Sequence, residues 1–337
     1  MAYTTVDNPE LYFQTQLYTG NGGTQSITLD GSENMQPDWV WIKCRSAVEG
    51  HVLFDVTRGV QKAINSNTQS AEATSSNYLT AFGTDGFSVG SSGLVNANSE
   101  TYASWNWKMG TAFSNDASAT GVGTIDSTGS VSTTAGQSII SYSGTGSAGT
   151  IAHGLGAVPK MMMIKETSGN ASGGNQSWSV YHQALGNTHF IPLNSTEAKI
   201  DDVDFNDTTP TSSVFSVGVQ NRTNSGNGNG VYIAYVFAEK KGYSKFGSFL
   251  GNNSDNGTFV YTGFRPAWVM IKRTDTSTST TDWFIFDNKR NTGNPNDDYL
   301  EANENGTETT SGRNVIDFLS NGFKCRQAYD DFNASGS

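Results

Sequence analysis

Residues 37–43 read P-D-W-V-W-I-K; residues 159–165 read P-K-M-M-M-I-K and residues 266–272 read P-A-W-V-M-I-K. Each copy opens on a proline (Pro37, Pro159, Pro266) and closes six positions later on a lysine (Lys43, Lys165, Lys272), with an apolar run between. Proline has no N–H for a ladder, so it is tolerated at the start of a strand but not inside one. The run that follows has strand length and no polar alternation, which predicts a strand buried on both faces. In the first copy Trp39 and Trp41 fall on one face and Val40 and Ile42 on the other; Trp268 repeats the first aromatic in the third copy. The closing lysine is expected to carry its charged head to water while its stem covers apolar surface. A sandwich strand needs only one apolar face, so a loop, a neighbouring unit or another subunit is expected over the second.

The spacing between prolines is 122 (159−37) and then 107 (266−159), which indicates tandem whole domains rather than a short-repeat solenoid. Other runs recur in the same order around each copy. Val52 to Asp55 is answered by Trp178 to Tyr181 and by Trp283 to Asp287, and Gly86 to Gly90 by Val214 to Gly218. The run Thr101 to Trp107 is answered by Val231 to Phe237. Asp85-Gly86 marks a hairpin turn. Six strand-like runs per unit with turn signals between them predict an all-β chain of tandem antiparallel β-sandwiches.

The expected division is an N-terminal arm over 1–16, repeat one over 17–110, a Gly/Ser/Thr-rich linker or hairpin over 111–136, repeat two over 137–242 and repeat three over 243–337. Repeat three reaches residue 337 about where its seventh run should begin. A sandwich lacking that strand exposes a sheet edge. Either the sequence given stops short, which is the favoured reading, or another segment or chain donates the strand.

Hydrophobic residues make up 35% and charged residues 15% of the 337-residue chain, and glycine is abundant at 38, the balance of a turn-rich β protein. Disorder is excluded by 7 Trp, 13 Tyr and 18 Phe spread along the whole length. A formal net charge of −11 without a Lys/Arg cluster argues against a nucleic-acid partner. Membrane insertion is not expected, because no run approaches the roughly 20 apolar residues needed to cross a bilayer. The polar first residues lack a secretory signal. Cys44 and Cys325 lie in different repeats and are expected to be buried thiols rather than a disulfide.

No nucleophile elbow, zinc-protease helix or phosphate loop occurs, so no catalytic residue and no cofactor are expected. His182 stands where Asp55 and Asp287 stand in the other repeats, which suits a surface or ladder position better than a general base. The acidic cluster Asp201, Asp202, Asp204 and Asp207 is a weak candidate for a hard cation, and a solvated acidic loop is the preferred reading. Trp105 and Trp107 could stack on sugar rings, but Tyr235 and Phe237 at the matching places favour a core role. Nothing singles out a pair of carboxylates for glycoside hydrolysis.

The ordered set L-Y-T-G (17–20), P-D-W-V-W-I-K (37–43), F-D-x-x-R-G (54–59), D-G-F-S-V-G (85–90) and T-Y-A-S-W-N-W-K (101–108) resembles tandem domains of tailed, particularly marine, bacteriophages. H-G-L-G-A-V-P-K (153–160) and V-Y-H-Q-A-L-G-N-T (180–188) are similar in the second repeat. The resemblance implies concanavalin A-like jelly-roll sandwiches in a virion structural protein, a tail fibre or surface fibre that attaches to host-surface glycan. It implies other virion proteins as partners, a homo-oligomer (a trimer) and no catalytic residue. A capsid decoration or head fibre is the first alternative and a polysaccharide depolymerase the second. The loops after the closing lysines, 45–50, 166–177 and 273–282, are the expected partner contacts.

Overall fold

The computed structural model describes residues 4–169, 176–225, 230–310, 312, 315–328 and 331–336. Every sheet in it is antiparallel. The first unit runs β1 (Phe13–Thr19), β2 (Gln25–Ile27), β3 (Trp39–Cys44), β4 (Val52–Asp55), β5 (Lys62–Ala63), β6 (Ala73–Thr74), β7 (Leu79–Gly83), β8 (Gly86–Val89) and β9 (Thr101–Trp107). One sheet, ordered β1-β9-β3-β4, faces a second, ordered β2-β8-β7. Val40, Ile42, Phe54 and Tyr102 from the first meet Ile27, Leu79, Phe87 and Val89 from the second in a core of their own. The Asp-Gly turn joins β7 to β8, with Gly86 at φ +110° and Ile27 O only 2.0 Å from where a Cβ would stand. Only glycine fits there.

The second unit begins earlier than its repeat. β10 (Thr111–Asn115) and β11 (Ser127–Ser132) form a hairpin, followed by β12 (Gln137–Ser143), β13 (Gly149–Ala152), β14 (Met161–Ser168) and β15 (Ser179–His182). Then come β16 (His189–Phe190), β17 (Ile200–Asp201), β18 (Val214–Val217) and β19 (Val231–Phe237). The main sheet, β10-β11-β12-β19-β14-β15, faces β13-β18. The linker or hairpin expected over 111–136 holds a strand pair, 111–115 with 127–131, and Ile125 bridges to Ile151.

The third unit holds β20 (Phe259–Tyr261), β21 (Trp268–Lys272), β22 (Trp283–Asp287), β23 (Asp298–Glu301), β24 (Thr309–Thr310), β25 (Ile316–Leu319) and β26 (Gly322–Cys325). Its sheets are β21-β22-β23-β24 and β20-β26-β25. Among the described residues nothing pairs with the outer edge of β21, whereas β3 lies between β4 and β9 and β14 between β15 and β19.

Two expectations need correction. The arm over 1–16 is partly sheet, since Phe13 to Gln16 pair with Trp107 to Ser104. The heads of Lys43 and Lys165 do not reach water, since both residues are fully buried, and Lys272 is half-buried. Their ammonium groups instead donate to backbone carbonyls, which meets the requirement that a buried charge be hydrogen-bonded.

Candidate functional site: the three-unit junction and its open groove

The second faces of β3, β14 and β21, the strands that follow Pro37, Pro159 and Pro266, turn toward one another. Trp39 and Trp41 of β3, Met161 and Met163 of β14, and Trp268 and Met270 of β21 all belong to one apolar cluster. That cluster also takes Trp105 and Trp107 of β9, Ile233 and Tyr235 of β19, and Trp283 and Ile285 of β22. Trp39 stacks on Trp107 at 4.1 Å within its unit and on Tyr235 of the next unit at 4.4 Å. The tryptophans at 105 and 107 are core residues, not a sugar platform.

Matching hydrogen bonds close a ring around this core. The Glu72 N–H donates to Thr167 O (2.9 Å), Lys199 N–H to Thr274 O (3.1 Å) and Glu308 N–H to Arg45 O (2.8 Å), so unit one joins two, two joins three and three joins one. A second ring runs inside it. Trp178 Nε1 donates to Asn65 O and Trp283 Nε1 to Pro192 O, each at 2.9 Å. His51 holds the third place. Its Nδ1 accepts from Trp41 Nε1 (2.8 Å), so neutral His51 carries its proton on Nε2, toward the Glu301 carbonyl but short of ordinary hydrogen-bond geometry. Burial, with Lys43 nearby, pushes the imidazole well below its usual range and keeps it neutral.

The lysines follow the same symmetry. Lys165 Nζ donates to Gln69 O of unit one (3.0 Å) and Lys272 Nζ to Thr196 O of unit two (3.2 Å). All three also donate to the carbonyl of the following residue, Cys44, Glu166 or Arg273. Burial pulls each lysine down to about 8.

Asp55 and Asp287 are not surface positions. Each is fully buried, paired with the arginine three residues on (Arg58 and Arg290, both at 2.6 Å), and takes a donor from the preceding or following unit. Tyr235 Oη donates to Asp55 (2.7 Å) and Trp105 Nε1 to Asp287 (3.0 Å). Arg58 reaches Glu72 and Arg290 reaches Glu308, the two residues whose N–H groups close the outer ring. Burial alone would raise the Asp287 carboxyl, but the Arg290 charge and hydrogen bonds hold it below its ordinary value. The phrase F-D-x-x-R, present at 54–58 and 286–290, was the available sequence signal for these pins.

In unit two the pin is replaced by His182 and Leu185. Among the described residues no strand stands opposite them. A groove of about 690 Å³ lies there. Met161, Met163, Leu185, Phe237, Trp268 and Met270 line it, and β21 presents its unpaired edge to it. Trp268, Val269 and Met270 are only half-buried, whereas β3 is buried along its whole length.

The acidic candidates are neutralised from within. Arg222 pairs with Asp202 (2.5 Å) and Asp204 (2.8 Å), Ser179 Oγ donates to Asp204, and Arg222 lies over the Phe190 ring. The Arg222 guanidinium thus sits where the weakly favoured cation would have to bind beside Asp202 and Asp204, while Asp201, at the end of β17, and Asp207 are exposed. No group of His, Cys, Asp or Glu among the described residues is arranged to hold a metal. Cys44 and Cys325 are buried and unpaired. Residues 226–229 of the glycine-rich loop and 170–175 of the 166–177 loop lie outside the described residues. No helix among the described residues is long and apolar enough to cross a membrane.

One group escaped the sequence reading, because its members are far apart in the chain. Asp282, Glu301, Glu304 and Asp331 border a second pocket in unit three, of about 470 Å³. Burial and the neighbouring carboxylates push Glu301 up to about 7, and burial raises Asp282 and Glu304.

No curated protein and no solved structure matches the chain. One family profile, described as a domain of unknown function (DUF7483), matches residues 8–337 and so runs across all three units. The chain therefore belongs to the DUF7483 family.

Proposed function

We propose that this chain is a structural protein of a tailed-phage virion, a tail-fibre or surface-fibre component that presents jelly-roll sandwiches for attachment to a host-surface glycan. The observation that carries the reading is the ring: three sandwiches locked around one core hold their polar outer loops at fixed mutual distances. Such a platform suits repeated weak contacts, where linkage multiplies affinity without any new contact. The phage resemblance of the ordered motifs supplies the setting. By the same resemblance the chain works as a homotrimer alongside other virion proteins.

Immunogold labelling of whole particles tests the placement. Label on fibres supports the reading, label over the shell favours a decoration protein, and unlabelled particles remove both. Exchanging the 273–282 loop should lower host adsorption, and unchanged adsorption would count against that loop as a contact. Mass photometry that reads three copies supports the trimer, and one copy removes it.

The acidic pocket favours one second reading, a polysaccharide depolymerase. A carboxyl held near 7 beside other carboxyls has the form of a general acid with its partner. Incubation with host envelope polysaccharide should then release oligosaccharides, and Glu301→Gln should abolish the release. No release removes this reading.

A further inference from the structure

The inner ring of junction hydrogen bonds has three equivalent places, and one of them can titrate. His51, Trp178 and Trp283 each stand four residues before a pin position (55−51, 182−178 and 287−283 are all 4). Each aims a ring N–H at a carbonyl of another unit: Trp178 at Asn65 O, Trp283 at Pro192 O and His51 at Glu301 O. The three carbonyls are equivalent as well. Each comes one residue after a strand partner, Ile64 opposite Leu53, Ile191 opposite Val180 and Leu300 opposite Ile285. An indole takes up no proton in the range where an imidazole does.

The second nitrogen of His51 makes the joint between units one and three conditional. Its Nδ1 accepts from Trp41 Nε1 at 2.8 Å, with both residues fully buried. A proton on Nδ1 would set two donors against each other and leave the indole N–H without its acceptor. The groups around the imidazole do not offset such a charge. Lys43 of β3 and Arg290 beyond β22 are cations. The Trp105 ring of β9 lies nearly parallel at 6.2 Å, and its Nε1 is committed to Asp287, which Arg290 already pairs. Glu308 is shared between Arg45 and Arg290, and Glu49 acts on Lys43. The Glu301 carboxyl borders the acidic pocket, whereas its neighbours Leu300 and Ala302 face the junction.

We propose that the joint between units one and three is an acid-sensitive latch: a proton on His51 Nδ1 opens this joint while the other two stay closed. Burial, Lys43 and Arg290 hold the closed-state imidazole well below its ordinary 6.5, and opening releases it toward that value. The open form therefore binds the proton more tightly. Opening is favoured as pH falls below 6.5, by about tenfold per pH unit, and levels off once the closed form also titrates.

The outer-ring amides report the three joints separately: Glu308 for units three and one, Glu72 for one and two, and Lys199 for two and three. Hydrogen exchange of the 337-residue chain is followed from pH 7 to pH 5, with each rate divided by its intrinsic value. Glu308 protection should fall by about tenfold per pH unit below 6.5 while Glu72 and Lys199 keep theirs. His51→Gln, whose amide can accept and donate without titrating, should hold Glu308 protection level over the same range. A level Glu308 profile in the native chain, a parallel fall at all three amides, or an unchanged slope in the variant would overturn the proposal. If the variant does not fold, the His51 ring-carbon shift in the native chain decides. A midpoint near 6.5 with Glu308 still protected would overturn the latch, and a lower midpoint that coincides with loss of Glu308 protection alone would support it.

Discussion

A buried carboxylate is tolerable only when its charge is met, and Asp55 and Asp287 are met three times over: by an arginine, by that arginine's backbone N–H, and by a donor from another unit. Removing one partner strands the other. Asp287→Ala should therefore cost about 3–5 kcal/mol, read as a fall in the urea midpoint at unchanged slope. The buried lysines act in the opposite sense. Lys43 falls from its ordinary 10.5 to about 8, so between these values the unfolded chain holds more protons than the folded one. Stability from this group rises with pH across that window, and at pH 7 its charge is a cost. The advantage of the native chain over Lys43→Met should thus grow from pH 8 to pH 10, measured by urea denaturation at each pH; a constant difference would place the ammonium in water. The F-D-x-x-R phrase was visible in sequence, but its third partner was not. Tyr235 lies 180 residues from Asp55, and Trp105 lies 182 from Asp287.

At the scale of the element, the index strand owes its two apolar faces to two different cores. Val40 and Ile42 serve the sandwich of unit one, while Trp39 and Trp41 serve the junction. The sequence disclosed both faces through the absence of polar alternation. It could not disclose what covered the second, because a loop, a neighbour or a subunit demands the same apolar side chain. The lysine ends were misread for a related reason. Snorkelling assumes that water is the nearest acceptor, whereas for Lys165 and Lys272 carbonyls of the preceding unit take its place. Trp39→Ala should cost about 3–5 kcal/mol in chemical denaturation. Trp268→Ala, at a half-buried strand edge, should cost clearly less. Equal losses would mean that β21 is as enclosed as β3. Trp41→Asp should prevent folding, and a soluble, normally folded variant would contradict the assignment of that face.

For the whole molecule, the repeats are three sandwiches but one junction. Cutting unit one away would expose the junction faces of Trp39, Trp41, Trp105 and Trp107 together. A monomer rarely carries a contiguous apolar patch larger than a few hundred Å². Residues 1–110 alone should therefore aggregate or stay unfolded in circular dichroism and light scattering. The repeat period was legible from the prolines, and it suggested tandem domains with a linker. The ring was not legible, since its closing bonds use backbone groups of Glu72, Lys199 and Glu308, which carry no side-chain signature.

The central claim, that the three units fold as one body around a shared core, is tested most directly by scanning calorimetry of the whole chain. A single transition whose calorimetric enthalpy equals its van't Hoff enthalpy is the predicted result. Separate transitions, or a calorimetric enthalpy about three times the van't Hoff value, would show three independent domains and contradict the account.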